Sequence, residues 1–367
     1  MVPPHLTLPA TSNQHFKAMC DDTGLFQHAI RSVPDRRHGY CVDDNARALL
    51  LCIKPDNRLD AGFALAAHFA SFVQHAWNPD NRRFRNFMSF DRRWLEPAGS
   101  QDSHGRTLWA LGVCAALPDL ALSTWARDLF VEALPTVLEF TAPRSWAFAL
   151  LGLDAYCPAH PHDSQADAIR HQLAERLQTL LRDTATRPWP WFETRLTYDN
   201  ARLCEALILT GGRIGDADML AAGLGSLRWV LEMQTVPAGH FRPIGSQGFA
   251  LAQRTPLPFD QQPLEACATV AACLAARQHD PDGLWSWAAH QAFAWFLGEN
   301  DLAVSLVDID TGSCRGGLHP DRANDNRGAE SVLSYLLALA DMRAMARYDP
   351  PFPTPPDSPL DKVPLDG

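Results

Sequence analysis

Gly39-Tyr40-Cys41-Val42-Asp43-Asp44-Asn45-Ala46-Arg47-Ala48-Leu49-Leu50-Leu51-Cys52-Ile53 reads as a polar loop carrying two acids that runs straight into a helix. Asp44 or Asn45 suits the N-cap, where a side-chain oxygen accepts from the first free backbone N–H groups. The residues that follow are apolar nearly all round, the pattern of a helix covered on every side. A near copy stands at Leu196-Thr197-Tyr198-Asp199-Asn200-Ala201-Arg202-Leu203-Cys204-Glu205-Ala206-Leu207. Asp-Asn-Ala-Arg therefore occurs at 44–47 and again at 199–202, each time at the entrance to an apolar helix.

Working outward, the same polar-to-apolar step recurs at Asp102-Ser103-His104-Gly105-Arg106, at Pro143-Arg144-Ser145, at Pro263-Leu264-Glu265 and at Gly328-Ala329-Glu330. A first helix is expected over about Phe16 to Arg31, with Asp21-Asp22-Thr23-Gly24 interrupting or introducing it. Further helices are expected between the apolar ones over Leu59 to Ala76, Leu122 to Phe140, Ser164 to Thr184, Asp216 to Met233 and Gly283 to Leu297. Asn78 to Gly99 reads as a long excursion with room for a short hairpin. Buried helices alternating with half-exposed ones predict an all-α ring of helical hairpins, an (α/α)6 toroid, with the apolar set inside. Internal repetition supports this, and the uneven spacing argues against a linear solenoid. The ring is expected over residues 15–348 as a single domain. A Pro-rich arm, 1–14, would precede it and a Pro-rich tail, 349–367, would follow.

The composition narrows the function classes. A hydrophobic share of 46% supplies a sizeable core, and a net charge of −10 disfavours nucleic-acid binding, which needs clustered cations. No apolar run is long enough for a membrane span, and the N-terminus has no secretion signal. The nine cysteines include no Cys-x-x-Cys pair and read as buried thiols of a reducing, cytoplasmic protein. The Gly245–Gly248 and Gly316-Gly317 loops lack a preceding strand and a following Lys-Ser/Thr, so they do not cradle phosphate. No cofactor or metal is expected.

In a ring, all polar entrances fall at one end of the inner helices. That end would gather Asp43, Asp44, Asp102, His104, Glu193, Asp199, Asp260, Glu265, His319, Asp325 and Glu330. Trp77, Trp94, Trp189, Trp191, Trp285 and Trp287 lie in adjoining segments. A bowl of carboxylates and aromatics suits sugar, whose CH faces stack on rings and whose hydroxyls bond to acids, amides and Arg.

The toroid layout and the Tyr-Asp-Asn-Ala entrance resemble the six-hairpin glycosidase superfamily, whose neighbours include the N-acylglucosamine 2-epimerases. Asp21-Asp22-Thr23-Gly24-Leu25-Phe26-Gln27-His28, the 39–47 stretch and Gly328-Ala329-Glu330-Ser331 resemble more closely an all-helical domain found beside or fused to bacterial glycosyltransferases. The resemblance implies a carbohydrate context and a glycosyltransferase as a partner. It leaves the reaction open among hydrolysis, epimerisation and lysis.

Each candidate has a plainer reading. Asp44 and Asp199 would serve equally as N-caps, although two adjacent carboxylates, Asp43 and Asp44, cannot both cap one helix. Glu330, one turn inside an apolar helix, would be buried with a raised pKa, as a general acid needs; its plainer role is to pair with Arg47 or Arg327. Glu265 follows Pro263 at a helix start, where the helix dipole already favours an acid. His104 and His240 are proton-shuttle candidates or ordinary loop histidines. Trp189 and Trp191 are a sugar wall or core.

The leading expectation is an inverting glycoside hydrolase acting on an oligosaccharide, its acid and base drawn from Asp44, Asp199 and Glu330. Asp43, Arg47, Asp102, His104, Trp189, Trp191, Glu193, Tyr198, Arg202, His240, Glu265, His319 and Asn326 are the candidate substrate-binding residues. The rivals are a sugar epimerase or isomerase using His, and a non-catalytic glycan-binding domain serving a glycosyltransferase.

Overall fold

The computed structural model describes residues 8–10, 12–55, 62–118, 120–248 and 252–348. Their helices are α1 (Gln14–Ala18), α2 (Val42–Ile53), α3 (Gly62–Ala76), α4 (Gln101–Ala115), α5 (Leu120–Ala133), α6 (Pro143–Ala159), α7 (Ser164–Thr184), α8 (Asn200–Ile214), α9 (Ala217–Met233), α10 (Pro263–Arg277), α11 (Gly283–Ala294) and α12 (Ala329–Tyr348). The expected Pro-rich tail, 349–367, and most of the expected arm lie outside the described residues.

The even-numbered helices from α2 to α12 are the predicted apolar set, and each packs on the next until α12 closes against α2. In α2, every residue but Asp43 and Ile53 is buried, so the all-round apolar pattern is satisfied by neighbours on every side. The odd-numbered helices α3, α5, α7, α9 and α11 each lean on the inner helix before them. In α7 the buried residues are Ala166, Ile169, Leu173, Ala174, Leu177 and Leu181, the three-and-four spacing of a one-faced helix. This is the (α/α)6 toroid.

The tightest seam of the inner ring joins α4 and α6. A methyl group added at Gly112 would lie 2.3 Å from the Gly152 carbonyl oxygen, and one at Gly152 would lie 2.6 Å from that of Leu108. Backbone touches backbone here, and only glycine permits it.

Two expectations change. The helix expected over Phe16 to Arg31 is interrupted at Asp21-Asp22-Thr23-Gly24 and does not resume, leaving only α1, because Asp21 Oδ1 accepts from the N–H groups of Thr23 and Gly24 at 2.8 and 3.2 Å. That local turn competes with helix, and the chain continues into an antiparallel pair, Ala29–Ile30 with Val33–Pro34. The helix predicted to reach Phe140 leaves α geometry after Ala133, with Pro135 in a 3₁₀ turn. The excursion after α3 does form a hairpin, Trp77–Asn78 with Arg83–Phe84, and Phe87–Met88 then pairs with Tyr40–Cys41 beside the start of α2.

Segment 15–29 ties the last inner helix to the first. Gln27 O accepts from Ala329 N at 3.0 Å, Asn326 Oδ1 accepts from Ala29 N at 3.1 Å, and His15 Nε2 bonds Arg327 O at 2.8 Å. All nine cysteines are free thiols, and all but Cys20 are buried. No described helix is long and apolar enough to cross a membrane.

Candidate active site

At the N-terminal ends of the inner helices a cavity of about 480 Å³ opens, with Asp43, Asp44, Asp102 and Glu330 among its walls. The repeated Asp-Asn-Ala-Arg helps to build it, through Asn rather than Asp. Asn45 accepts from Leu25 N at 2.9 Å and donates to Cys41 O at 2.7 Å, fixing the preceding loop on the helix end. Asn200 does the same for its own loop, accepting from Thr197 N at 3.0 Å and donating to Thr197 O at 2.9 Å.

The two aspartates then diverge. Helix α2 starts at Val42, three residues earlier in the motif than α8, so Asp44 lies inside the first turn. Neither aspartate caps: Asp44 is within the helix, and Asp199, in the cap position with φ +51°, makes no capping hydrogen bond. Asp44 reaches the cavity. Asp199 is fully buried behind Arg106 and does not line it.

Arginines from three of the inner helices, α2, α4 and α8, hold these acids. Arg47 contacts Asp43 at 2.9 Å, Asp44 at 3.2 Å and Glu330 at 3.3 Å. Arg106 contacts Asp43 at 3.0 Å and also Asp199. Arg202 lies 3.8 Å from Asp199 and 2.6 Å from Glu205. The edges of these guanidiniums meet carboxylates while two faces rest on rings, Arg106 over Phe148 at 4.0 Å and Arg202 over Trp109 at 4.7 Å. A planar, always-charged group can do both at once, which an ammonium cannot. Burial by itself would lower the Arg47 pKa, but Asp43, Glu330 and Asp44 outweigh it and raise it.

Burial pushes the Asp44 pKa up to about 8; Asp43 and Glu330 push the same way, and Arg47 and Arg106 oppose them. Asp102 is also raised, mainly by burial, against a hydrogen bond from Tyr198 Oη and the charges of Arg106 and Arg144. Glu330 departs from its expectation. Its side chain is 47% exposed at the cavity rim, although Ala329, Ser331 and Val332 in the same turn of α12 are buried. It still pairs with Arg47, as expected of a structural partner.

Of the substrate-binding candidates, Asp43, Arg47, Asp102, Tyr198 and Asn326 line the cavity. The remaining substrate-binding candidates do not. His104 is buried among Trp77, Phe84 and Phe140, where burial takes its pKa down to about 3. Trp189 and Trp191 are buried and pack on Trp229 as core. No tryptophan lines the cavity among the described residues. Glu193 is held by Arg144 at 2.6 Å, His240 by Asp301 at 3.1 Å and His319 by Asp260 at 2.9 Å, all outside the cavity. Glu265 is sealed beneath it against Asn200, its pKa carried up to about 7 chiefly by burial. Arg202 faces a second cavity, of about 490 Å³, at the opposite end of the bore.

Arg106 and His28 line the cavity without having been singled out. Arg106 was legible, since it enters its helix as Arg47 and Arg202 enter theirs. His28 lies in the 21–28 stretch that carried the family resemblance, but nothing local marked its direction. No metal-holding group of His, Cys, Asp and Glu occurs among the described residues.

No family model matches the chain, and no curated protein matches it by sequence. Solved structures do match by shape. A D-mannose isomerase superposes with a TM-score of 0.68 at 10% identity, covering 91% of this chain and 94% of that one. A cellobiose 2-epimerase from Spirochaeta thermophila gives 0.67 at 13% identity, over 91% and 92%. A GH76 α-mannanase from Bacteroides thetaiotaomicron gives 0.61 at 11% identity, over 90% and 93%. At such identities the likeness is one of architecture: the chain has the (α/α)6 toroid fold that these structures share.

Proposed function

We propose that this chain cleaves a glycosidic bond in an oligosaccharide, with Asp44 supplying the proton and Glu330 the second carboxylate. One observation carries the reading. A largely buried carboxyl with its pKa raised to about 8 and a water-exposed carboxyl sit on the same guanidinium nitrogen, Arg47 Nη1, at 3.2 and 3.3 Å. Pairs of acids whose surroundings differ this much are how one site holds a proton donor and an anion together. At neutral pH Asp44 keeps its proton and can pass it to the leaving oxygen as the C–O bond breaks. Glu330 then stabilises or attacks the sugar carbon, and water completes the cleavage.

The spacing bears on stereochemistry. Two oxygens bonded to one nitrogen are no further apart than the two contacts laid end to end. That is the lower edge of the roughly 6.5–9.5 Å of inverting pairs, while retaining pairs stand about 5–5.5 Å apart. The pair therefore favours retention over the inversion expected from the superfamily resemblance.

Isomerase and epimerase neighbours, and His28 in the cavity wall, support a second reading in which a proton moves beside a sugar carbonyl. His104 and His240, its expected shuttles, lie outside the cavity. One experiment separates the readings: the purified chain, Asp44→Asn and Glu330→Gln are incubated with a panel of neutral oligosaccharides in D2O and followed by NMR. The expected result is bond cleavage, first giving the anomer of the substrate, and lost in both variants. Deuterium at a sugar carbon without cleavage would replace hydrolysis with epimerisation. Binding without turnover would leave a glycan-holding domain, the role that fits a glycosyltransferase partner.

A further inference from the structure

His28 stands in the cavity wall, and hydrogen bonds around it fix which of its nitrogens carries the proton. The backbone N–H of Ala29 can only donate, and it meets Asn326 Oδ1 at 3.1 Å. The other end of that amide is therefore the NH2 group, which lies 3.1 Å from His28 Nδ1. Nδ1 must accept, so the neutral ring carries its hydrogen on Nε2. Among the described residues, no protein group bonds that Nε2–H.

The clamp is rigid at both ends. Asn324 Oδ1 accepts from Asn326 N at 3.0 Å, and His28 O accepts from Asp35 N at 2.8 Å. A methyl group added at Gly328 would lie 2.6 Å from Gln27 O and 3.1 Å from Asn326 Oδ1, so only glycine lets the two segments close. The ring edge of His38 meets His28 with centroids 4.6 Å apart. The groups facing His28 are His38, Asp35, Glu330 and Asn326. Burial and His38 lower its pKa, and Asp35 and Glu330 raise it less, so the ring is neutral at pH 7.

We propose that His28 is a substrate-orienting residue, donating from Nε2–H to a hydroxyl or ring oxygen of a neutral sugar beside Asp44 and Glu330. This rests on the cavity being a sugar site. The neutral class follows from the walls. Their described cations, Arg47 and Arg106, are already committed to carboxylates, so none is left for an anionic sugar.

Two measurements on the full chain test it. Long-range 15N–1H NMR of histidine-labelled protein should show His28 as the Nε2–H tautomer at pH 7. Asn326→Asp should move the proton to Nδ1 or raise the His28 pKa, because a carboxylate can only accept. An Nδ1–H tautomer in the unaltered protein would overturn the inference whatever the cavity binds. Calorimetry in the Asp44→Asn background, where turnover does not interfere, then reads the sugar contact. His28→Ala should weaken binding of a neutral oligosaccharide about tenfold, the worth of one good hydrogen bond, and His28→Gln should recover part of it. Unchanged affinity in His28→Ala sinks the inference while leaving the sugar reading intact. Correct tautomer with no oligosaccharide bound sinks the sugar reading, and with it the donor's role.

Discussion

Asp44 and Asp199 stand in the same four-residue motif, yet a change at each should fail in a different way. On the proposed reading Asp44→Asn removes the proton donor but keeps its shape, so turnover should fall about 10²–10⁴-fold, the usual worth of a general acid, with the fold intact. Asp199→Asn leaves Arg106 and Arg202 buried beside a neutral amide. Breaking a buried pair from one side costs about 3–5 kcal/mol, so the urea midpoint should drop and activity should follow folding. A stable, inactive Asp199→Asn protein would reverse the assignment. The sequence showed the motif but not this difference, because it depends on a three-residue shift in where the helix begins. The same limit explains Glu330, whose neighbours Ala329, Ser331 and Val332 are buried as expected while its own side chain points to the open cavity rim.

At the scale of elements, the helix entrances were readable from chemistry alone: Pro263 opens α10, Pro143 opens α6, and Asp163 and Asp216 cap α7 and α9 as their residue types suggest. What could not be read was how closely two helices approach. Gly112 and Gly225 both lie inside helices, but Gly112 meets the backbone of α6 while a methyl at Gly225 would touch nothing within 4 Å. Gly112→Ala should therefore destabilise by about 1–3 kcal/mol through overpacking. Gly225→Ala should stabilise by about 0.5–1 kcal/mol through helix propensity. Urea denaturation of the two variants checks both signs at once, and equal shifts would mean that the α4–α6 seam is looser than described.

Over the whole molecule, buried titrating groups set how stability varies with pH. In the folded state Asp44 and Glu265 hold their protons up to about 8 and 7, against about 3.9 and 4.3 when unfolded. Between those values the native chain binds more protons, so their contribution, full below about pH 4, is lost as pH rises through 7 and 8. Buried histidines act oppositely. His15, His28 and His104 are lowered chiefly by burial, so the stability that they contribute is present above about pH 6.5 and lost as pH falls. Melting temperature should peak near neutrality, and Asp44→Asn should flatten the fall between pH 6.5 and 8 while steepening the rise between about pH 4 and 6.5, since the Asp44 proton difference spans both ranges. A wild-type melting temperature that climbs from pH 6.5 to 8 would contradict the buried, protonated Asp44. The ring itself was the most legible level, because a closed circle of helices needs only the alternation of apolar and one-faced segments. The contents of its bowl depended on directions that no alternation records. The arginine and carboxylate layer that runs from Glu330 through Arg47, Asp43, Arg106 and Asp199 to Arg202 separates the two end cavities. The ring is thus a cup and not a tunnel: a polymer cannot be threaded through it, and whatever enters the mouth must back out by the same way before the next guest arrives.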